Sequence, residues 1–197
     1  IALAIWIAYF FAGLYGIGIA AVGMLYRRLA VEGRVLYLMS SRVSHFLDQP
    51  AELARRTGYA AAFGRTLDYQ GGEYGIALLS RWPIVNDTVV SLVVDPPQRR
   101  GGGSYEPRGA LVARVAAPGL AVRVLDTHLD ASREDGYRRQ EVATVVGLAL
   151  GLRRPGVVVL AGGDFNDEPS SRVHGFAVSA GLADLWPGCG EGLGLTY

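Results

Sequence analysis

Residues 157–167 read Val157-Val158-Val159-Leu160-Ala161-Gly162-Gly163-Asp164-Phe165-Asn166-Asp167. The unbroken apolar run Val157–Ala161 is what a central strand, covered on both faces, requires. Two glycines end it, and a carboxylate and an amide follow, two residues apart. Glycine lets the backbone turn and lets a ligand approach closely. Asp164 and Asn166 together suit a hard cation, or a polarised water beside a phosphate. The same residue types also build plain turns through side-chain to backbone hydrogen bonds.

Working outward, Pro155-Gly156 closes a helix that we expect to start at Ser132, with Asp135 near capping-box spacing. Val142, Val145, Val146 and Ala149 give that helix one apolar face. Before it, Val122–Asp130 (VRVLDTHLD) delivers His128 where a strand leaves the core. There an imidazole can act as an acid or as a phosphate hydrogen-bond donor near neutral pH; an ordinary surface histidine is the alternative. Ala110–Ala116 and Leu120–Leu125 flank Pro118-Gly119, a hairpin signal. Gly75–Arg81 is a strand stopped by Pro83, and Thr88–Val94 is a β-branched strand. Gln98–Ser104 is a loop, Ala51–Arg56 a short helix after Pro50, and Arg172–Ala180 a last short helix. Arg81 and Arg108 carry the planar fork that clamps an anion bidentately, although with 19 arginines most are solvated. Strands in hairpin order with helices between them favour an α/β sandwich of two sheets with helices outside.

The chain has 197 residues, 50% of them apolar and 19% charged, which fits one domain over residues 1–197 and excludes a disordered tail. Net charge is +1, so the chain is no polyelectrolyte, and every basic residue apart from histidine is arginine. The single cysteine, Cys189, excludes a disulfide scaffold and a cysteine-rich zinc site. Residues 1–26 carry no charge, and Arg27, Arg28 and Arg34 follow. That stretch reads either as a membrane span, with the rest on the cytoplasmic side, or as a buried strand (Ile1–Phe11) and a helix (Ile19–Val31) leading to a second strand (Arg34–Met39). Cytoplasmic and membrane-associated placements both stay open. The chain begins with Ile1 and ends on Thr196-Tyr197, so we expect a fragment of a longer protein.

In order along the chain stand GIALLSR (75–81), EPRG (106–109), DTHLD (126–130), LAGGDFND (160–167), GLAD (181–184) and GLTY (194–197). Upstream lie Asp48-Gln49, Leu53-Ala54 and Thr57-Gly58-Tyr59. Together these motifs resemble the endonuclease/exonuclease/phosphatase superfamily, the DNase I-like fold, over residues 34–197 and by extension the whole chain. The resemblance implies a four-layered α/β sandwich, truncated at its C-terminus, that hydrolyses phosphoester bonds, above all phosphodiesters, with Mg²⁺ or Mn²⁺. The substrate classes it leaves open are nucleic acid, phospholipid head groups and small phosphate esters, and we separately expect a monomer. Asp164 would activate the water, Asn166 would hold a phosphate oxygen or the metal's water shell, and His128 would hydrogen-bond the phosphate. Asp164 and Asn166 are the metal-side candidates, and Arg108 and Arg81 the phosphate-side ones. For a nuclease, Arg99, Arg100, Arg138, Arg139, Arg153 and Arg154 are the basic residues to converge on one face.

The chain also departs from that pattern. The family's first-strand Asn registers on Ile7, and its Gln-Glu pair registers on Met39-Ser40, so neither metal-binding side chain is there. The closing Ser-Asp-His segment is missing. Three explanations follow: a divergent or corrupted N-terminal stretch, which we favour; a pseudoenzyme that kept the fold and lost the metal; or a membrane span in place of the first strand.

Overall fold

The computed structural model describes residues 3–5, 20–21, 33–40, 47–69, 71–97 and 106–189. Two sheets face each other. The six-stranded sheet has the order β10-β1-β9-β8-β7-β6, built from Leu3–Ile5 (β1), Ile84–Leu92 (β6), Arg108–Ala117 (β7), Leu120–His128 (β8), Val157–Asp164 (β9) and Leu182–Asp184 (β10). The four-stranded sheet has the order β2-β3-β5-β4, from Ala20–Ala21 (β2), Gly33–Ser40 (β3), Ala60–Tyr69 (β4) and Gly72–Ser80 (β5). Helix α1 (Gln49–Thr57) covers the second sheet. Helices α2 (Gly136–Gly151) and α3 (Arg172–Ser179) cover the first, and a short α4 (Trp186–Cys189) follows β10. The result is the four-layered α/β sandwich expected.

Each sheet residue's parity decides which layer it serves. Ile76 and Leu78 meet Leu111, Ala113, Val115, Val122, Val124 and Leu160 between the sheets. On the outer face, Leu125, Val159 and Ala161 pack against Val142, Val145, Val146 and Ala149 of α2 and Val173 and Ala177 of α3. The apolar face read from α2's sequence is therefore the face it buries, each Val or Leu contributing about 1.5–3 kcal/mol. β9 is central, with neighbours on both sides, as its unbroken apolar run required.

The parallel β8–β9 pair places the site. Its register aligns Thr127 with Gly163 and His128 with Asp164. Gly163 has φ 136°, and a Cβ there would lie 1.9 Å from the Thr127 carbonyl oxygen. Only glycine fits, so the second glycine of the motif is what lets the two strands close.

Several elements differ from expectation for identifiable reasons. α2 begins at Gly136, not Ser132, and Asp135 makes no side-chain cap bond. The Asp130 carboxylate takes the Ser132 N–H at 2.8 Å, and Arg138 takes the Ser132 carbonyl, which holds this segment in a turn ahead of the helix. β5 starts at Gly72 and β6 at Ile84, both earlier than expected. β4 was not foreseen. Its small residues are demanded by crowding: a Cβ on Gly64 would meet Val89 Cγ2 at 2.7 Å. Leu3–Ile5 and Ala20–Ala21 are strands in different sheets, so residues 1–26 do not form one spanning helix, and no described helix is long and apolar enough to cross a membrane. The rest of that stretch, with Ile7, lies outside the described residues, as do Gln98–Ser104 and Thr196-Tyr197.

Gly163→Ala is expected to lose more than about 4 kcal/mol or to abolish folding, because backbone stands where the methyl must go. Gly119→Ala, at φ 72° in the β7–β8 turn with open space around it, should lose only about 1 kcal/mol. Urea denaturation of the two variants checks the contrast, and similar losses would refute the close-packing argument.

Candidate active site

β8 and β9 run parallel, so their C-terminal ends lie together, and antiparallel β7 begins there. His128, Asp164 and Arg108 thus share one end of the sheet. The Leu129 N–H donates to the Asp164 carbonyl at 2.9 Å, extending the ladder past the last strand residue. Asn166 adopts φ 47°, a left-handed conformation that asparagine tolerates better than most residues. Its N–H donates to Asp164 Oδ1 at 2.8 Å, and its Nδ2 donates to the Leu129 carbonyl at 2.9 Å. That amide ties the β9 loop to the β8 loop and fixes Asn166 beside Asp164. Asp164 is 5% exposed.

Across the cleft, Thr66, Tyr74, Gly75 and Ile76 of the four-stranded sheet line a narrow gap with Arg108, Gly109 and His128. Gly109 continues into β8 through the Thr127 hydroxyl, which donates to its carbonyl at 2.9 Å. Arg108 Nη1 lies 2.9 Å from His128 Nδ1 and 2.9 Å from Glu106 Oε1. The Arg108 side chain is only 2% exposed, and its Nε and Nη2 have no hydrogen-bond partner among the described residues.

The structure does not bring Arg81 to this place. It follows the last residue of β5, while Tyr74–Ile76 at the other end face His128. The run from Gly75 to Arg81 spans about 20 Å at strand rise. At the site end of β5, Met39 pairs with Tyr74 and Ser40 with Glu73 in backbone register. Among the described residues no group of three or more His, Cys, Asp or Glu could hold a metal.

Beneath the site lies a buried charged layer that sequence reading missed. From the first turn of α2, Arg138 Nε donates to Asp167 Oδ2 at 3.0 Å and Nη1 to the Asp130 carbonyl at 3.2 Å. Glu141, one turn on, accepts the Asp130 N–H at 2.7 Å. The helix so grips both loops that carry site residues. Arg138 therefore belongs to the interior and not to a basic face. Arg153 and Arg154 cap backbone carbonyls next to the start of β9, at the sheet's opposite end. The signal available was spacing: Arg138 and Glu141 stand three apart, on one helical face with Val142 and Val145.

Burial pushes the Glu141 carboxyl up to about 7, against the Asp130 N–H and the Arg108 and Arg138 charges, with the Asp130 carboxylate adding to the rise. Burial likewise holds the Asp126 carboxyl well above its usual range. Among the described residues neither Asp126 oxygen has a hydrogen-bond partner of good geometry, and the nearby Thr127 N–H only partly opposes the shift.

A sequence profile of the Endonuclease/Exonuclease/phosphatase family matches residues 21–197. The chain belongs to this family. It is 32% identical over 127 residues to the uncharacterized protein YbhP of Escherichia coli strain K12, covering 64% of this chain and 46% of that one. The chain thus matches less than half the length of this curated relative. Among solved structures it resembles ANGEL2, described as a 2′,3′-cyclic phosphatase, with TM-score 0.55 and 17% identity over 72% of this chain and 42% of that chain. It also resembles an endonuclease/exonuclease/phosphatase family protein of Bacteroides thetaiotaomicron, with TM-score 0.52 and 18% identity over 68% and 51% of the two chains. These likenesses establish the DNase I-like fold, and the family assignment rests on the profile.

Between pH 4.5 and about 7, folded Glu141 keeps a proton that the unfolded chain has released. Stability therefore falls as pH rises through that window, by roughly 3 kcal/mol for this group. Asp126 acts with the same sign. Glu141→Gln keeps an acceptor for the Asp130 N–H and should flatten this part of the curve, measured by urea denaturation at pH 5 and pH 8. An unchanged pH slope would refute the assignment.

Proposed function

We propose that this chain hydrolyses phosphoester bonds, most specifically phosphodiesters, with a water activated at Asp164. The observation that carries the reading is the alignment of His128 with Asp164 across β8–β9, with Asn166 locked beside them. An attacking water gives its proton to the Asp164 carboxylate as its oxygen approaches phosphorus. His128 hydrogen-bonds a phosphate oxygen and stabilises the charge that develops there. Asn166 Nδ2 has a second N–H to offer a phosphate oxygen, and its Oδ1 can accept from a metal's water shell.

Mg²⁺ or Mn²⁺ is the cofactor of this reading. The donors at hand are one carboxylate and one amide oxygen. They suit a cation that keeps most of its water and is completed by substrate phosphate, as Mg²⁺ characteristically is. When bound, such an ion neutralises phosphate charge and assists the leaving oxygen. Asp164 and Asn166 would hold it.

Arg153 and Arg154 lie at the opposite end of the sheet and Arg138 is paired in the interior, so these three arginines offer no basic face to nucleic acid beside His128. A hollow of about 440 Å³, lined by Pro96, Ser132, Arg133, Glu134, Gly136, Tyr137 and Gln140, opens beside the Asp130–Ser132 turn and would take a group beyond the scissile phosphate. A second reading, a non-catalytic phosphate-binding domain, is favoured by one observation: the described residues hold no cluster of metal ligands.

With a p-nitrophenyl phosphodiester and Mn²⁺, we expect turnover that a chelator abolishes. Asp164→Asn and His128→Gln should each lower kcat/KM by at least about 10²-fold, whereas Arg81→Gln should stay within about twofold of wild type, given its distance from His128. Absence of turnover by the wild-type chain under Mg²⁺ and Mn²⁺ would leave the binding-domain reading in its place.

A further inference from the structure

We propose that Arg108, anchored by Glu106, sets the tautomer of His128 so that the imidazole presents Nε2–H to the substrate phosphate. This rests on the role given to His128 above, but its geometry stands apart from it.

A guanidinium has only donors, and an imidazole nitrogen that meets one must accept. Arg108 Nη1 lies 2.9 Å from His128 Nδ1. The ring proton is therefore on Nε2, the nitrogen at the far side of the ring. Nη1 carries two N–H bonds, and the geometry supplies two acceptors for them: His128 Nδ1 and Glu106 Oε1, each at 2.9 Å. The Glu106 carboxylate fixes where the guanidinium sits, and the guanidinium fixes the ring.

The remaining Arg108 donors, Nε and Nη2, are sealed from solvent and have no partner among the described residues. A substrate anion does not reach a fork closed in this way, so the bidentate clamp expected from the sequence gives way to action through the histidine. Arg108 is a positioning residue. A neutral ring with its proton on Nε2 offers the phosphate a donor, and it leaves no acceptor on that side to compete with Asp164 for the water's proton. Backbone register reinforces the arrangement: Gly109 precedes β7's inward-facing Leu111 and bonds to Thr127, so Arg108 and His128 are held from both strands.

The test is a long-range ¹H–¹⁵N correlation spectrum of the histidine rings in the full ¹⁵N-labelled chain at neutral pH. His128→Gln identifies the His128 signals among the three histidines of the chain. We expect the wild-type ring to be neutral with the proton on Nε2. Arg108→Met should move it to a mixture of tautomers, and Arg108→Lys, which keeps a donor, should restore the wild-type pattern. In the phosphodiester assay Arg108→Met should lose about 10- to 100-fold in kcat with KM within about twofold, and Arg108→Lys should recover part of the loss. A wild-type ring with its proton on Nδ1 overturns the proposal, and this readout does not depend on any variant folding. An unchanged ring pattern in a folded Arg108→Met variant also overturns it. An Nε2–H ring in a chain that hydrolyses no phosphodiester sustains the tautomer assignment and removes the catalytic reading instead.

Discussion

The contact between Gly163 and the Thr127 carbonyl governs this molecule. At that point two parallel strands approach so closely that the smallest possible side chain would overlap backbone. The register it enforces sets His128 opposite Asp164. Everything else at the site is built from that alignment: the Leu129 N–H reaching the Asp164 carbonyl, and Asn166 turning left-handed to bond both loops. A one-residue slip would send every inward side chain of the strand to the opposite face. Glycine is thus the geometric key to the carboxylate that follows it.

The second constraint is electrostatic. Arg138, Glu141, Asp130 and Asp167 lie beneath the site, and the first three are buried. Buried charge is tolerated only when paired and hydrogen-bonded. Arg138 meets that demand by reaching across to two loops, and Glu141 meets it in part, with Oε1 lacking a partner. A hydrophobic layer of the same volume would pack without such demands. The polar layer instead makes the position of α2 and the positions of both loops mutually dependent, so the helix cannot shift without disturbing the residues at the strand ends. Glu141 and Asp126 show the energetic consequence, since both carboxyls are driven toward the neutral form by burial.

Much of the six-stranded half was legible in the sequence. Val157–Ala161 announced a central strand because it is apolar throughout, and Pro118-Gly119 announced the hairpin between β7 and β8. His128, Asp164 and Asn166 were named from strand ends and spacing, and the structure brings all three together. The four-stranded half was harder. β4 is rich in alanine and glycine, which signal little locally; its Gly64 answers to Val89, Ile76 and Leu111 in other strands. Ser132 and Asp135 matched a helix start, yet side chains from Asp130 and Arg138 outbid that local preference. Arg138 read as surface charge because composition cannot reveal a partner such as Asp167, 29 positions away. Arg81 and Arg108 looked alike in sequence. Strand length separates them, since one follows β5 and the other begins β7.

The two sheets contribute unequally to the cleft. The six-stranded sheet brings His128, Asp164, Arg108 and the adjoining Asn166 to one end. The described side chains facing them from the four-stranded sheet are Thr66, Tyr74, Gly75 and Ile76, which carry no charge at neutral pH. Among the described side chains that line the gap, Arg108 on the six-stranded wall carries the fixed charge, and so narrow a gap leaves little room for solvent. Excluding solvent strengthens each interaction inside. The backbone pairs Met39–Tyr74 and Ser40–Glu73 close the same end of the second sheet. On the reading proposed above, activating the water falls to Asp164, and the closely packed β8–β9 edge that sets His128 opposite it fixes its position.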